Sequence, residues 1–521
     1  MNQLATRSRD ARLPGLCRFA IAWALAVVFV GAGQVTAEGL TSNAELERRL
    51  TAATEADGIS RAVIGKSVEG RPIDAIRVQA NEDAVDAVRV LLIGQQHGDE
   101  PAGTEALLDL MDDLATDKDT LPAGVELWIV PRANPDGAGI GKRRNANDAD
   151  LNRDHALLSQ PETRALHAFV RGVRPHLVVD CHEFTRDSAD YAAHGYTEWP
   201  LIMLDTANLT IYPEPAYQLG VRLNEAAAER LRDADIQACR YYVGSFPGPA
   251  GDGALRFSTL DADDARNGFG AYGAMSFIIE SGIHRKAEDP DADLPARVAA
   301  YRQLFDTLLA ERVLRACREM SERMRSAELP EAVATNAMWA NTSLRFTPLR
   351  VVDAETGQAR VLQTTAFAHD RVVKSAVATP AGYVIHADAA EPYTRVLDAH
   401  GLDYTTLDQP QQLHAERVEL VRMEDTYDAV YHRYAGRQIT RPLPAKATTF
   451  PAGSLVVRLD QLDTVDGRRA ILLLEPRMLF GLYQWPEFQR LAQPGAPLPI
   501  ARLLPSPEPG DASSAARTPS P

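Results

Sequence analysis

The sequence predicts an α/β chain: a mixed, largely parallel sheet flanked by helices, followed by a smaller, mostly β domain. Three observations lead there. Short continuous apolar runs end in turn residues, as strands buried on both faces do. Helical spacing of apolar residues fills the intervals between those runs, the alternation that builds parallel sheets. After Pro330 the texture changes to short β-type runs separated by turn residues.

In chain order, Val90 to Ile93 is the first clear strand, followed by Gly94-Gln95-Gln96. A helix follows from Pro101, a residue favoured at a first helical position, with Ala106, Leu107, Leu110, Met111 and Leu114 on one face. Val125 to Val130 reads as a second strand, closed by the turn Asn134-Pro135-Asp136-Gly137. Pro161 starts a helix through Val170, and Leu177 to Val179 and Met275 to Ile279 are further strands. Residues 295–326 read as long helical segments, with Val298, Tyr301, Leu304, Phe305, Leu308, Leu309 and Val313 mostly at helical spacing.

Beyond Pro330, strands are predicted at Leu344 to Val352, Ala359 to Phe367, Val372 to Val377, Gly382 to Ile385, Val418 to Val421, Ser454 to Arg458 and Ala470 to Leu474. One helix, Tyr393 to His400, stops at Gly401. The predicted organisation is an α/β domain over 38–330, a β-rich domain over 331–503 and a disordered Pro/Ser/Ala/Gly tail over 504–521.

The first 37 residues stand apart. Arg7, Arg9, Arg12 and Arg18 precede an apolar run from Phe19 to Val30, and Val35-Thr36-Ala37 offers small residues before Glu38. This predicts a signal peptide and a secreted or periplasmic product, since about a dozen apolar residues fall short of a bilayer span. The alternative is an uncleaved N-terminal anchor. No stable membrane association is expected after cleavage. Cys181, Cys239 and Cys317 form no CxxC, so neither a cysteine zinc site nor a disulfide framework is implied, although one bridge is compatible with export. With 71 acidic against 55 basic residues, the net charge of −16 argues against nucleic acid or an anionic membrane as partner.

Four stretches carry chemistry. His97-Gly98-Asp99-Glu100 places an imidazole and a carboxylate three residues apart where a strand gives way to a helix, a spacing able to bind one metal ion. Arg143 to Arg153, ending Asp150-Leu151-Asn152-Arg153, brings guanidinium forks and amides suited to a carboxylate. His182 follows the apolar strand Leu177 to Val179, and Glu280 follows Phe277-Ile278-Ile279; polar groups at such ends face the crevice where α/β sheets bind ligands.

Taken in this order with Asn134-Pro135-Asp136-Gly137, these stretches resemble the zinc metallocarboxypeptidases, the relatives of carboxypeptidase A, over roughly residues 55–325. The stretch Arg143 to Arg153 looks like bacterial members that act on cell-wall peptides. The resemblance implies one zinc ion held by His97, Glu100 and His182, with Asp150 orienting a ligand histidine. Asn152 and Arg153 would grip a substrate's terminal carboxylate. Arg143 would stabilise the oxyanion, with Arg144 as the fallback, and Glu280 would be the general base. The implied partner is a peptide with a free C-terminal carboxylate.

The family's mobile tyrosine has no counterpart between Arg256 and Ala262; Tyr272 is nearer Glu280, and Tyr241 and Tyr242 are farther. Arg266 and Tyr272 are further candidates for substrate contact. Two other readings share the constellation: a zinc deacylase or amidase similar to aspartoacylase and succinylglutamate desuccinylase, and an inactive peptide-binding protein. The β-rich region offers no catalytic signature, and His369, His386, His400, His414 and His432 show no ligand spacing.

Overall fold

The computed structural model describes residues 40–79, 86–247, 253–428, 433–478, 481–482 and 485–505. The proposed export segment, Cys17, His432 and the tail from residue 506 lie outside the described residues. Eleven strands of the first half carry labels here: β1 (Ile59–Lys66), β2 (Pro72–Gln79), β3 (Val88–Gly94), β4 (Val125–Val130), β5 (Leu177–Thr185), β6 (Tyr196–Glu198), β7 (Ile202–Thr206), β8 (Ala238–Arg240), β9 (Tyr242–Gly244), β10 (Leu255–Phe257) and β11 (Met275–Ile283).

Eight of them form one mixed sheet in the order β1-β2-β4-β3-β5-β11-β7-β8. The centre, β4-β3-β5-β11, is parallel, while β1, β2 and β7 are joined antiparallel. The helices Ala102–Thr116, Glu214–Asp233, Leu294–Leu308 and Glu311–Ser326 bury Leu107, Met111, Leu231, Tyr301, Phe305 and Leu314 with Val90, Leu92, Val179 and Ile279. On the other side, the helix Pro161–Val173 packs Leu166 and Val170 with Leu91, Ile93 and Val178. Successive strand residues face opposite layers, so a sheet covered on both sides needs continuous apolar runs.

The strands run longer than their apolar cores. β5 continues from Val179 through Asp180, Cys181, His182 and Glu183, and β11 continues from Ile279 through Glu280 to Ile283. Polar residues that look like strand ends in the sequence are therefore in-register members of buried strands, with Glu280 opposite His182.

The C-terminal half is mostly β. A sheet in the order Thr405–Thr406, Leu455–Arg458, Gly382–Ile385, Ala496–Leu503, Gln411–Asp428, Arg433–Pro442 also takes in Lys446–Phe450 through Gln411–Asp428. The helix Ala390–His400 ends at Gly401 with φ +63°, the left-handed geometry glycine permits. One expected strand is corrected: Ala470 to Leu474 belongs to a helix, Thr464–Leu474, whose N-terminus is capped by Asp463 accepting from the Asp466 amide. Its last turns are buried all round, so they show no helical stripe, and a short apolar run reads alike in either state.

Strands beyond Pro330 also pair with strands before it. Thr347–Asp353 joins β6, and Phe367–Ala368 runs parallel to β10. The Trp339 indole donates to the Ser258 carbonyl at 2.8 Å. Cys181, Cys239 and Cys317 are all free thiols. Among the described residues no helix is long and apolar enough to cross a membrane.

Candidate active site

Two loops meet beneath the site. Gly98 lies so close to the turn after β4 that a Cβ there would stand 2.1 Å from the Gly137 carbonyl carbon and 2.4 Å from the Lys142 oxygen. Gly137 in turn leaves no room, with the Arg144 oxygen at 2.6 Å. The Gly98 amide donates to the Arg143 carbonyl, and the Asn134 side chain accepts from the Gly137 amide. His97-Gly98-Asp99-Glu100 and Asn134-Pro135-Asp136-Gly137 are thus packed backbone on backbone, which only glycine permits.

On that platform His97 and Glu100 face His182 from β5. His97 Nδ1 lies 2.9 Å from one Glu100 oxygen, His182 Nδ1 lies 2.9 Å from the other, and the two Nδ1 atoms are 3.0 Å apart. All three side chains are buried. Among the described residues this trio is the group of histidine and acidic side chains whose ligand atoms come close enough to share a metal ion, lying within 4.8 Å of one another.

The donor chemistry fits zinc: two imidazoles and a carboxylate, with the outward nitrogens tied down. His97 Nε2 sits 3.0 Å from Asp150, and His182 Nε2 sits 2.7 Å from Asp180. An imidazole that donates Nε2–H to a carboxylate keeps its Nδ1 lone pair free for an ion, the usual support of a zinc-binding histidine. Burial would raise the carboxyls of Glu100 and Asp150. The imidazoles outweigh it at Glu100, and His97, Arg143 and Arg153 outweigh it at Asp150, so both stay below the usual carboxylate range.

A cavity of about 380 Å³ opens beside this trio. His97, Glu100, Arg143, Asn152, Arg153 and Glu280 line it, together with Asp99, Tyr241, Thr259, Asp264, Arg266 and Arg285. Arg143 donates to Glu100 at 3.1 Å and to Asp150 at 3.0 Å. The Asn152 oxygen accepts from the Ala265 amide at 2.7 Å, and its amide nitrogen lies 3.1 Å from His182 Nε2. Burial pushes the Glu280 carboxyl up to about 7, against the pull of His182, with Glu100 adding to the rise.

Of the residues expected at the site, all are brought together except Arg144 and the candidate Tyr272. The Arg144 guanidinium is exposed, donates to the Asp148 carbonyl at 2.8 Å and does not line the cavity. Of the tyrosines, Tyr241 is on the cavity wall, while Tyr242 and Tyr272 are not. Arg266 lines the cavity too, but its charge is committed: it donates to Asp264 at 2.6 Å and to the Thr259 carbonyl at 2.9 Å.

Sequence reasoning passed over Asp180, although it stands two residues before His182 and so shares its strand face. Tyr241 and Arg285 carried no local signal, because the fold brings them in from separate elements.

Residues 49–234 match the family model of the zinc carboxypeptidases. The matched stretch holds His97, Glu100, Arg143, Asp150, Asn152, Arg153 and His182 and ends before Glu280. The chain is 30% identical over 234 residues to carboxypeptidase 2 of Trichophyton equinum, covering 42% of each protein. It is 38% identical over 155 residues to carboxypeptidase SOL1 of Arabidopsis thaliana, covering 26% of this chain and 32% of that one. The match thus spans less than half the length of either relative. A solved metallo-carboxypeptidase from Pseudomonas aeruginosa aligns with a TM-score of 0.40 and 25% identity, over 51% of this chain and 68% of its own.

Proposed function

We propose that this chain is a zinc-dependent carboxypeptidase that releases the C-terminal residue of peptides outside the cytoplasm, cell-wall peptides among them. The carrying observation is the convergence of His97, Glu100 and His182 at one edge of a cavity that also presents Glu280, Arg143, Asn152 and Arg153. Extracytoplasmic action rests on the basic and apolar start of the chain.

His97, Glu100 and His182 would hold the ion, and three protein ligands leave it a place for water or substrate. Bound there, zinc supplies Lewis acidity to the water and to the scissile carbonyl. Glu280 takes the water's proton and passes it to the leaving amine, so its carboxyl must ionise near working pH. Asn152 and Arg153 hold the terminal carboxylate of the substrate, a neutral donor beside a guanidinium fork. Arg143 faces the charge that develops on the carbonyl oxygen, where a fixed donor contributes most to rate. Asp150 and Asp180 keep the two ligand imidazoles oriented. Tyr241, on the cavity wall, is the tyrosine that contacts bound substrate.

The test offers the purified chain matched peptides with free and amidated C-termini, with and without a zinc chelator. Loss of one C-terminal residue from the free peptide alone, abolished by chelator and restored by zinc, is the expected result. Turnover of small N-acyl amino acids with both peptides untouched would move the assignment to the deacylase reading, and zinc uptake without turnover of any of them would leave a binding protein.

A further inference from the structure

The carboxylate that steadies His182 is itself held by a buried chain of hydrogen bonds that ends at Tyr272, beneath residues of the C-terminal half. Gln96 donates from Nε2 to Asp180 at 2.8 Å. His155 Nε2 meets the Gln96 oxygen at 2.8 Å, His155 Nδ1 meets His167 Nε2 at 2.9 Å, and His167 Nδ1 meets the Tyr272 hydroxyl at 2.9 Å. All of these side chains are buried, and Phe269 packs edge-on against His155.

Chemistry allows the chain one polarity. Ionised Asp180 accepts only, so the amide nitrogen of Gln96 must face it and the amide oxygen must accept from His155. A neutral imidazole has one N–H, so His155 Nδ1 accepts, His167 donates through Nε2, and His167 Nδ1 accepts from the Tyr272 hydroxyl. Both rings are neutral as this requires: burial pushes His155 down to about 3 and holds His167 well below the ordinary histidine range.

The far end is set from beyond Pro330. The Arg469 guanidinium, on the helix Thr464–Leu474, lies 4.1 Å over the Tyr272 ring. His400, the last residue of the helix Ala390–His400, packs edge-on at 5.5 Å against His167 and is anchored by its Nε2 on the Ala156 carbonyl at 3.0 Å.

We propose that Gln96, His155, His167 and Tyr272 are positioning residues that fix Asp180, and through it the metal-facing tautomer of His182, and that the C-terminal half takes part by clamping Tyr272 and His167 with Arg469 and His400. This rests on the zinc assignment above. It gives the C-terminal half a task at the site without any of its residues touching substrate. A buried polar run of this length is costly unless every member is satisfied, and an apolar core would serve stability as well.

The experiment measures zinc affinity of the full chain by competition with a chromophoric chelator. Tyr272→Phe removes one hydroxyl and His155→Leu breaks the chain at its middle. Arg468→Met is the control: Arg468 is on the same helix as Arg469 and donates to the Met324 carbonyl, away from Tyr272. The expected result is zinc binding weakened about 10-fold in Tyr272→Phe and His155→Leu, the lower end for partners behind a metal ligand, with Arg468→Met unchanged. Affinities equal to wild type in both, or an equal loss in Arg468→Met, overturn the relay while leaving the zinc assignment intact. A wild-type chain that takes up no zinc overturns both. Should His155→Leu not fold, ¹⁵N-histidine spectra of the wild-type protein decide: His155 protonated on Nε2 supports the relay, and His155 protonated on Nδ1 overturns it.

Discussion

Glu280 and His182 are Cα partners in the neighbouring parallel strands β11 and β5, so the proposed base and one proposed metal ligand are held in register by the sheet itself. Side chains at paired positions of adjacent strands point to the same face, which brings Glu280 to the cavity and His182 to the trio at its edge without help from a loop. Replacing Glu280 with glutamine keeps shape and burial but removes the proton acceptor. The expected outcome is a fall in kcat of about 10²- to 10⁴-fold with zinc content unchanged, measured by steady-state kinetics and metal analysis. A variant that keeps wild-type kcat would move the base elsewhere.

The same carboxyl sets the pH profile. Burial, with Glu100 adding to it, raises Glu280 to about 7 in the metal-free protein. A base works only when ionised, so kcat/KM should climb with pH through the Glu280 pKa and fall away below it. A bound dication favours the ionised form, so the acid limb should lie at or below about 7. A rate that grew as pH dropped from 7 to 5 would contradict this assignment.

Gly98 is a backbone requirement placed between two of the proposed metal ligands, His97 and Glu100. A methyl there meets the main chain of Gly137, Ala138 and Lys142 well inside contact distance. Backbone cannot swing aside as a side chain can, so Gly98→Ala should displace His97 and Glu100 together. Zinc binding should weaken at least 10-fold, read by chelator competition. Wild-type affinity in that variant would mean that the two loops do not need their close approach.

Behind the site, Arg297 is fully buried and donates to Glu183 at 2.7 Å, with Asp291 and Asp293 as further partners. Burial pushes the Glu183 carboxyl up to about 8, so removing Arg297 leaves a buried polar group without its partner, a cost of about 1–3 kcal/mol. Arg297→Met should lose stability on that scale in urea unfolding, and Arg297→Met with Glu183→Gln should recover part of it. A single variant as stable as wild type would show that Glu183 takes up a proton or water at little cost.

Much of this site is legible in the sequence because its chemistry sits on local signals. A strand before His97, apolar runs before His182 and Glu280, and the residue order of Arg143 to Arg153 each mark a position that folding then gathers. What stays hidden is long-range. Nothing near Tyr241 announces that β8 and β9 carry it to the cavity wall. The strand length of β5 and β11 is concealed because Asp180, Glu183 and Glu280 interrupt the apolar runs. The pairing of Phe367–Ala368 with β10 depends on contacts more than a hundred residues apart. The helix at Thr464–Leu474 is mistaken for a strand because burial on every side erases its periodicity.

The claim on which all of this turns is a zinc ion between His97, Glu100 and His182. Anomalous scattering at the zinc edge from crystals of the zinc-loaded protein locates that ion directly. One peak is expected, about 2.0–2.2 Å from the Nδ1 atoms of His97 and His182 and from a Glu100 oxygen. A peak at other residues, or none there after zinc loading, would contradict it.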